Sequence, residues 1–245
     1  MKLSRFCIAV AFALTPVILD AQENIIYNRE STAHATIHTQ GLGVGYKYGK
    51  IWGIHKTSYW NFEISYLRSL KQVKLAHYYN AASFVYGKLN DVLVFRVGYE
   101  EERRIFGKPY WGGVELRWLY EAGASLAVLK PYYYYVAVAK PTLNGGYSEE
   151  YIYDTFENSS QWIDIIGKAP FKEGLNEIRI RPGVYAKGGL VFEIGTSRIR
   201  AQSIEVGAMV EYFPQGIPIM AENPPDYVIP TLYLSYSWGS RYNKY

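Results

Sequence analysis

The sequence predicts an all-β fold, an antiparallel transmembrane β-barrel of eight strands with long extracellular loops. Three observations predict it: a secretory signal at the N-terminus, repeated segments in which apolar and polar residues alternate, and an abundance of aromatic residues, with 25 Tyr and 6 Trp among 245 residues. Alternation matters because successive side chains of a strand face opposite sides of the sheet. Tyr and Trp favour membrane interfaces, since each joins an apolar ring to a hydrogen-bonding tip.

Lys2 and Arg5 precede an apolar run over 6–19, and the small Ala21 precedes Gln22. These are the three parts of an export signal, so residues 1–21 are expected to be a signal peptide cleaved after Ala21, and residues 22–245 the barrel. The run is shorter than the roughly 20 apolar residues of a spanning helix. Cys7, inside that run, is the chain's one cysteine, which excludes disulfides, thiol catalysis and cysteine metal sites from the mature protein. Without Lys2, Arg5 and Asp20 the 26 basic and 22 acidic side chains fall to 24 and 21, a net charge of +3. That balance, with no basic run, argues against nucleic acid as a partner.

The strands follow in order. Leu42, Val44, Tyr46 and Tyr48 alternate with Gly41, Gly43, Gly45 and Lys47; Trp60, Phe62, Ile64 and Tyr66 with Asn61, Glu63 and Ser65. Leu93, Phe95, Val97 and Tyr99 oppose Arg96, Gly98 and Glu100, and Val114, Leu116, Trp118 and Tyr120 oppose Glu115 and Arg117. A tight turn is expected at 121–123, then a fifth strand through Leu126, Val128, Tyr134 and Val136, bulged at Lys130-Pro131 because proline cannot donate to a ladder. The sixth strand sets Ile178, Ile180, Val184, Leu190, Phe192 and Ile194 against Glu177, Arg179, Arg181, Lys187 and Glu193; Gly188-Gly189 could alternatively be a hairpin turn within it. The seventh opposes Ile204, Val206, Ala208 and Val210 to Glu205, Met209 and Glu211, and the eighth opposes Leu232, Leu234, Tyr236 and Trp238 to Ser235 and Ser237. Aromatic residues cluster toward the strand ends, as in a membrane girdle. A soluble sandwich shares the alternation but buries its apolar faces between two sheets.

With both termini on the periplasmic side, 140–174 and 214–227 become long outer connections. In this strand count 70–90 is instead a long periplasmic segment, in conflict with the pattern.

Several stretches resemble small, largely uncharacterised outer-membrane barrels of Bacteroidota. They are Tyr86-Gly87-Lys88-Leu89-Asn90, Lys108-Pro109-Tyr110-Trp111-Gly112-Gly113-Val114, Lys130-Pro131-Tyr132-Tyr133, Tyr185-Ala186-Lys187-Gly188-Gly189-Leu190 and the tail from Trp238 to Tyr245. The resemblance implies a Gram-negative outer-membrane location among lipid and lipopolysaccharide, and insertion by the barrel-assembly machinery, which would read the aromatic last strand. It implies no catalytic residue and no cofactor.

On the inner face the pattern places a charge network of Lys47, Glu63, Arg96, Glu115, Arg117, Arg179, Arg181, Glu193, Glu205 and Glu211, with Lys187, Glu100, Glu121 and Glu177 beside them. An eight-stranded interior is nearly filled by side chains, so these charges must pair. A structural plug is the expectation, and a narrow porin or small-solute path the alternative. A lipid-modifying enzyme would need a His, a hydroxyl and a carboxylate together on the outer surface. The candidates are His34, His38, His55 and His77, with Ser58 and Glu63 near His55, which is expected at an outer turn; no triad spacing appears. Scattered histidines argue against a metal site. Gly41-Leu42-Gly43-Val44-Gly45 lacks the Lys-Ser or Lys-Thr of a phosphate loop and reads as small inward strand residues. In the outer segment Tyr147, Tyr151, Tyr153, Phe156, Trp162 and Phe171 interleave with Glu149, Glu150, Asp154, Glu157 and Asp164, a candidate surface for a protein or glycan partner.

Overall fold

The computed structural model describes residues 27–76, 83–108, 113–141, 147–197, 199–221 and 223–243; the expected signal segment and His77 lie outside them. In chain order the strands are β1 (Arg29–His38), β2 (Gly41–Ile51), β3 (Lys56–Leu67), β4 (Lys74–Ala76), β5 (Ser83–Val85), β6 (Asn90–Phe106), β7 (Glu115–Pro131), β8 (Tyr133–Pro141), β9 (Tyr147–Thr155), β10 (Trp162–Lys168), β11 (Arg179–Glu193), β12 (Arg200–Ile217) and β13 (Asp226–Tyr242). Eight of them, β1, β2, β3, β6, β7, β11, β12 and β13, close an antiparallel barrel in sequence order, and β13 returns to pair with β1. Among the described residues no helix is long and apolar enough to cross a membrane. The crossing element is a closed sheet, which leaves no backbone edge unpaired in hydrocarbon.

The wall sorts its side chains as a bilayer demands. Leu42, Val44, Phe62, Ile64, Phe95, Val97, Leu232 and Leu234 are exposed on the outside, while Lys47, Glu63, Arg96, Glu121 and Glu205 are buried. Rings such as Trp60, Tyr99, Trp118, Tyr236 and Trp238 stand on the outer wall.

Eight strands close the barrel, but two of them differ from those expected. The first barrel strand, β1, carries Ala33, Ala35 and Ile37 outward against buried Thr32, His34 and Thr36, so its apolar stripe is short and mostly of small residues. The expected turn at 121–123 is the middle of β7, where Glu121 pairs across to Lys187 and Gly123 to Tyr185. Tyr134 and Val136, expected in the wall, belong to β8 in a separate sheet. No bulge interrupts Lys130-Pro131: the β6–β7 register runs unbroken to Asn90↔Pro131, and the irregularity is at the other end, between Arg104 and Phe106. Pro131 ends its strand, and the β11 ladder has already stopped at Leu129, so the missing N–H interrupts nothing. Gly188 and Gly189 lie mid-strand in β11.

Counting from β1 reverses the sidedness of the early connections. The connection over 68–89 now shares its end with those over 132–178 and 218–225, and the two termini occupy the other end. The conflict over 70–90 therefore disappears. His55 moves the opposite way, to the β2–β3 turn at the terminus end.

Candidate functional site

The interior is built in layers down the barrel. Nearest the long loops, Leu67, Val92, Val94, Leu129, Phe213, Ile217 and Ile229 of the wall form an apolar cluster with Ile219 and Met220 from the β12–β13 connection. That connection crosses the mouth and is pinned to the one before β6: Leu89 N donates to Ile219 O at 2.9 Å, and Ala221 N to Gly87 O at 2.8 Å. The external mouth is thus closed by packing and backbone hydrogen bonds together.

Below it lies Arg96, buried and held by two carboxylates. Its Nε and Nη2 meet Glu211 at 2.9 and 2.8 Å, and Nη1 meets Glu63 at 2.6 Å. His34 Nε2 lies 3.4 Å from the other Glu63 oxygen, and His38 Nε2 lies 2.6 Å from Ser65 Oγ. The next layer sets Lys47 on Glu100 at 2.8 Å and on Glu205, with Lys187 3.4 Å from both Glu121 and Glu205. Tyr185 and Asn61 both donate to Glu121. Toward the termini, Arg117 joins Glu102 at 2.9 Å, Glu115 at 2.7 Å and Glu193, while Arg241 joins Glu30 at 2.7 Å and Glu193 at 2.8 Å. A void of about 10 Å³ bordered by Lys47, Tyr59, Glu102 and Arg117 could hold at most one water. Glu100, Glu102 and Glu205 bring carboxylate oxygens within 4.8 Å of one another. Lys47 and Arg117 already meet these groups, so the chain's own cations serve the cluster.

Of the expected network, Lys47, Glu63, Arg96, Glu115, Arg117, Glu193, Glu205 and Glu211 are buried inside. Arg179 and Arg181 are not among them. The first residues of β11 rise beyond the packed interior, so Arg179 is exposed and Arg181 donates to the carbonyls of Gln215 and Gly216 at the rim. Glu177 lies in a 3-10 turn outside the barrel, where Tyr133 donates to it at 2.8 Å; this bond pushes the Tyr133 phenol up to about 12. The pattern missed Glu30 and Glu102, the first on an unrecognised strand and the second beyond the expected end of its strand. The described histidines do not gather with a hydroxyl and a carboxylate on the outer surface. His34 and His38 face the interior, and Ser58 Oγ accepts from Trp52 Nε1. At the terminus end the barrel opens into a cavity of about 440 Å³ lined by Trp52, Ile54, His55, Arg104, Glu115 and Arg117 among others.

The external connection over 132–178 folds into a sheet of its own, ordered β10-β8-β9. One face packs Tyr134, Val136, Val138, Ile152, Phe156, Trp162 and Ile165 together with Phe84 and Tyr132. The Tyr134 hydroxyl donates to the Val85 carbonyl at 2.7 Å and accepts from Lys88 N at 2.8 Å, tying the sheet to the segment before β6. The other face carries Tyr135, Tyr147, Glu149, Tyr151 and Tyr153. Thus the six aromatics expected to form one surface divide: Phe156 and Trp162 hold the sheet down, and Tyr147, Tyr151, Tyr153 and Phe171 are exposed.

No family model and no curated protein matches the chain. Among solved structures it is similar to Neisserial surface protein A (NspA), at 9% identity and a TM-score of 0.39, covering 89% of this chain and 97% of that one. It is also similar to Ail, the attachment invasion locus protein of Yersinia pestis, at 12% identity and a TM-score of 0.37, covering 89% of this chain and all of that one. A second Ail structure, in complex with the heparin analogue sucrose octasulfate, matches at 12% identity and a TM-score of 0.35, again covering 89% of this chain and all of that one.

Proposed function

We propose that the chain is an integral outer-membrane protein, exported by a signal peptide ending at Ala21, that acts as a structural or interaction component through its external sheet. The kinship with Bacteroidota barrels belongs to the same reading. One observation carries it: the barrel is packed through its middle and capped at its external mouth, whereas the chain's largest external connection is an ordered sheet with an exposed aromatic face. A filled interior suits a scaffold better than a conduit. Surface-exposed Tyr and Trp supply contact area with few rotors to immobilise.

The test is site-specific photocrosslinking from Tyr147 or Tyr151 in intact outer membranes of the native host, followed by purification in detergent. The expected result is a crosslinked protein or glycan at one of these positions, absent when the crosslinker sits at Leu234 on the lipid face. Recovery of the isolated barrel alone from both positions overturns the interaction role. Planar-bilayer recording addresses the narrow-porin alternative: no conductance steps are expected, and stable steps would replace the scaffold with a pore.

A further inference from the structure

We propose that the external sheet binds an extended, cationic segment of another protein, which adds as a fourth strand along β9 and lays alternate Lys or Arg side chains against Tyr151, Tyr153 and Glu149. This names a partner class for the interaction reading above and rests on it.

The edge comes first. In the order β10-β8-β9, the far side of β9 has no strand partner among the described residues. Its pairing with β8 runs without a register shift from Tyr133↔Thr155 to Pro141↔Tyr147. Such an edge displays a row of backbone donors and acceptors, and proteins usually blunt it with charged side chains, Lys above all, or with Pro, a bulge or a cover. The stretch Tyr147-Ser148-Glu149-Glu150-Tyr151-Ile152-Tyr153-Asp154-Thr155 contains no Lys and no Pro, its ladder has no bulge, and its charges, Glu149, Glu150 and Asp154, are all acidic, so they guard against an acidic or neutral strand and not against a basic one. An edge left open in this way can template an incoming strand.

Charge then selects the strand. Residues 132–178 hold seven acidic and three basic side chains, a net charge of −4. Two copies pairing through β9 would bring Glu149, Glu150 and Asp154 of one near those of the other, and like charges across a ladder are destabilising. An anionic glycan meets the same repulsion. A cationic strand is attracted instead, and it finds rings as well as carboxylates: Tyr135 lies 5.9 Å from Tyr151 and 5.4 Å from Tyr153, centroid to centroid. The Tyr151 hydroxyl donates to Glu149 at 3.3 Å, fixing a carboxylate beside the rings. Aromatic faces attract ammonium and guanidinium groups. This chain already uses that contact at the foot of the sheet, where Lys168 sits 5.0 Å from the Tyr132 centroid. The apolar cluster on the opposite face holds the platform in place before any partner arrives, which reduces the entropy lost on binding.

The experiment uses the full mature chain in nanodiscs and three fluorescent peptides with blocked ends: (Lys-Val)4, (Glu-Val)4, and a fully N-methylated (Lys-Val)4 that keeps the charges and loses every backbone donor. Saturable, salt-sensitive binding of (Lys-Val)4 is expected, weaker by about tenfold or more for the N-methylated copy and undetectable for (Glu-Val)4. Glu149→Lys and Tyr153→Ala should each weaken (Lys-Val)4 several-fold while the barrel keeps its unfolding midpoint. Equal binding of the N-methylated peptide would overturn strand addition; indifference to Glu149→Lys, or self-association through β9, would overturn the cationic partner. If crosslinking at Tyr151 traps a partner but (Lys-Val)4 does not bind, the interaction reading stands and this one fails. If neither occurs, both fail.

Discussion

The barrel wall and the β8–β10 sheet are built from the same backbone alternation and sort their residues in opposite directions. In the wall Arg96, Lys47 and Glu205 are buried while Leu232 and Leu234 are exposed; in the sheet Tyr134 and Val136 are buried while Glu149 and Tyr151 are exposed. The difference lies in what surrounds each. Hydrocarbon accepts apolar side chains and no unpaired polar group, whereas water drives apolar side chains together. A period of two therefore says which residues share a face, and the surrounding solvent decides which way that face points.

Four substitutions test this contrast, in order of expected effect. Arg96→Met removes the cation shared by Glu63 and Glu211 and leaves two buried carboxylates uncompensated, a loss of roughly 3–5 kcal/mol. Urea unfolding from lipid vesicles measures it, and the triple change with Glu63→Gln and Glu211→Gln should recover much of the loss. Leu234→Lys places a charge midway along β13 on the lipid face and should cost about 2–4 kcal/mol in the same assay. A cost near zero would mean that this face meets water. Trp162→Ala opens the cluster beneath the sheet. Full burial of Trp is worth roughly 3–5 kcal/mol, and Trp162 is partly buried, so about 2 kcal/mol is expected. Hydrogen exchange should show faster opening of β8 and β9 with the barrel unchanged; loosening of the barrel would mean that the two regions fold as one. Tyr151→Lys makes the same kind of change as Leu234→Lys but on a wetted face, and should move the unfolding midpoint by no more than about 0.5 kcal/mol.

Most of the wall was legible because its lipid-facing stripes are strongly apolar. β1 escaped because, of its outward residues Ser31, Ala33, Ala35 and Ile37, only Ile37 is a large apolar side chain, so that strand shows mainly its polar side. The middle of β7 looked like a turn because Ala122, Gly123, Ala124 and Ser125 are small. The structure gives Gly123 another reason: a Cβ there would lie 2.2 Å from the Val97 carbonyl and 2.9 Å from the Tyr185 ring. One strand missed and one strand divided left the count at eight while misplacing the early loops. Arg179 and Arg181 share the parity of Lys187, and parity identifies a face without saying where along the strand the interior ends. For the external segment the aromatic content was plain, but its division into an anchoring and an exposed face depends on a register with β8 that no local pattern encodes.

The pairing of β1 with β13 joins the two ends of the chain, and the ion pair between Glu30 and Arg241 spans 211 residues. This seam cannot form until the last strand has been delivered, and until then β1 has one edge with nothing to bond. The weakly apolar first strand is thus latched by the last one made. A polypeptide truncated before β13 would have no closed ladder and would leave Glu30 with the Tyr59 hydroxyl but without the Arg241 cation, so membrane insertion must wait for the last strand.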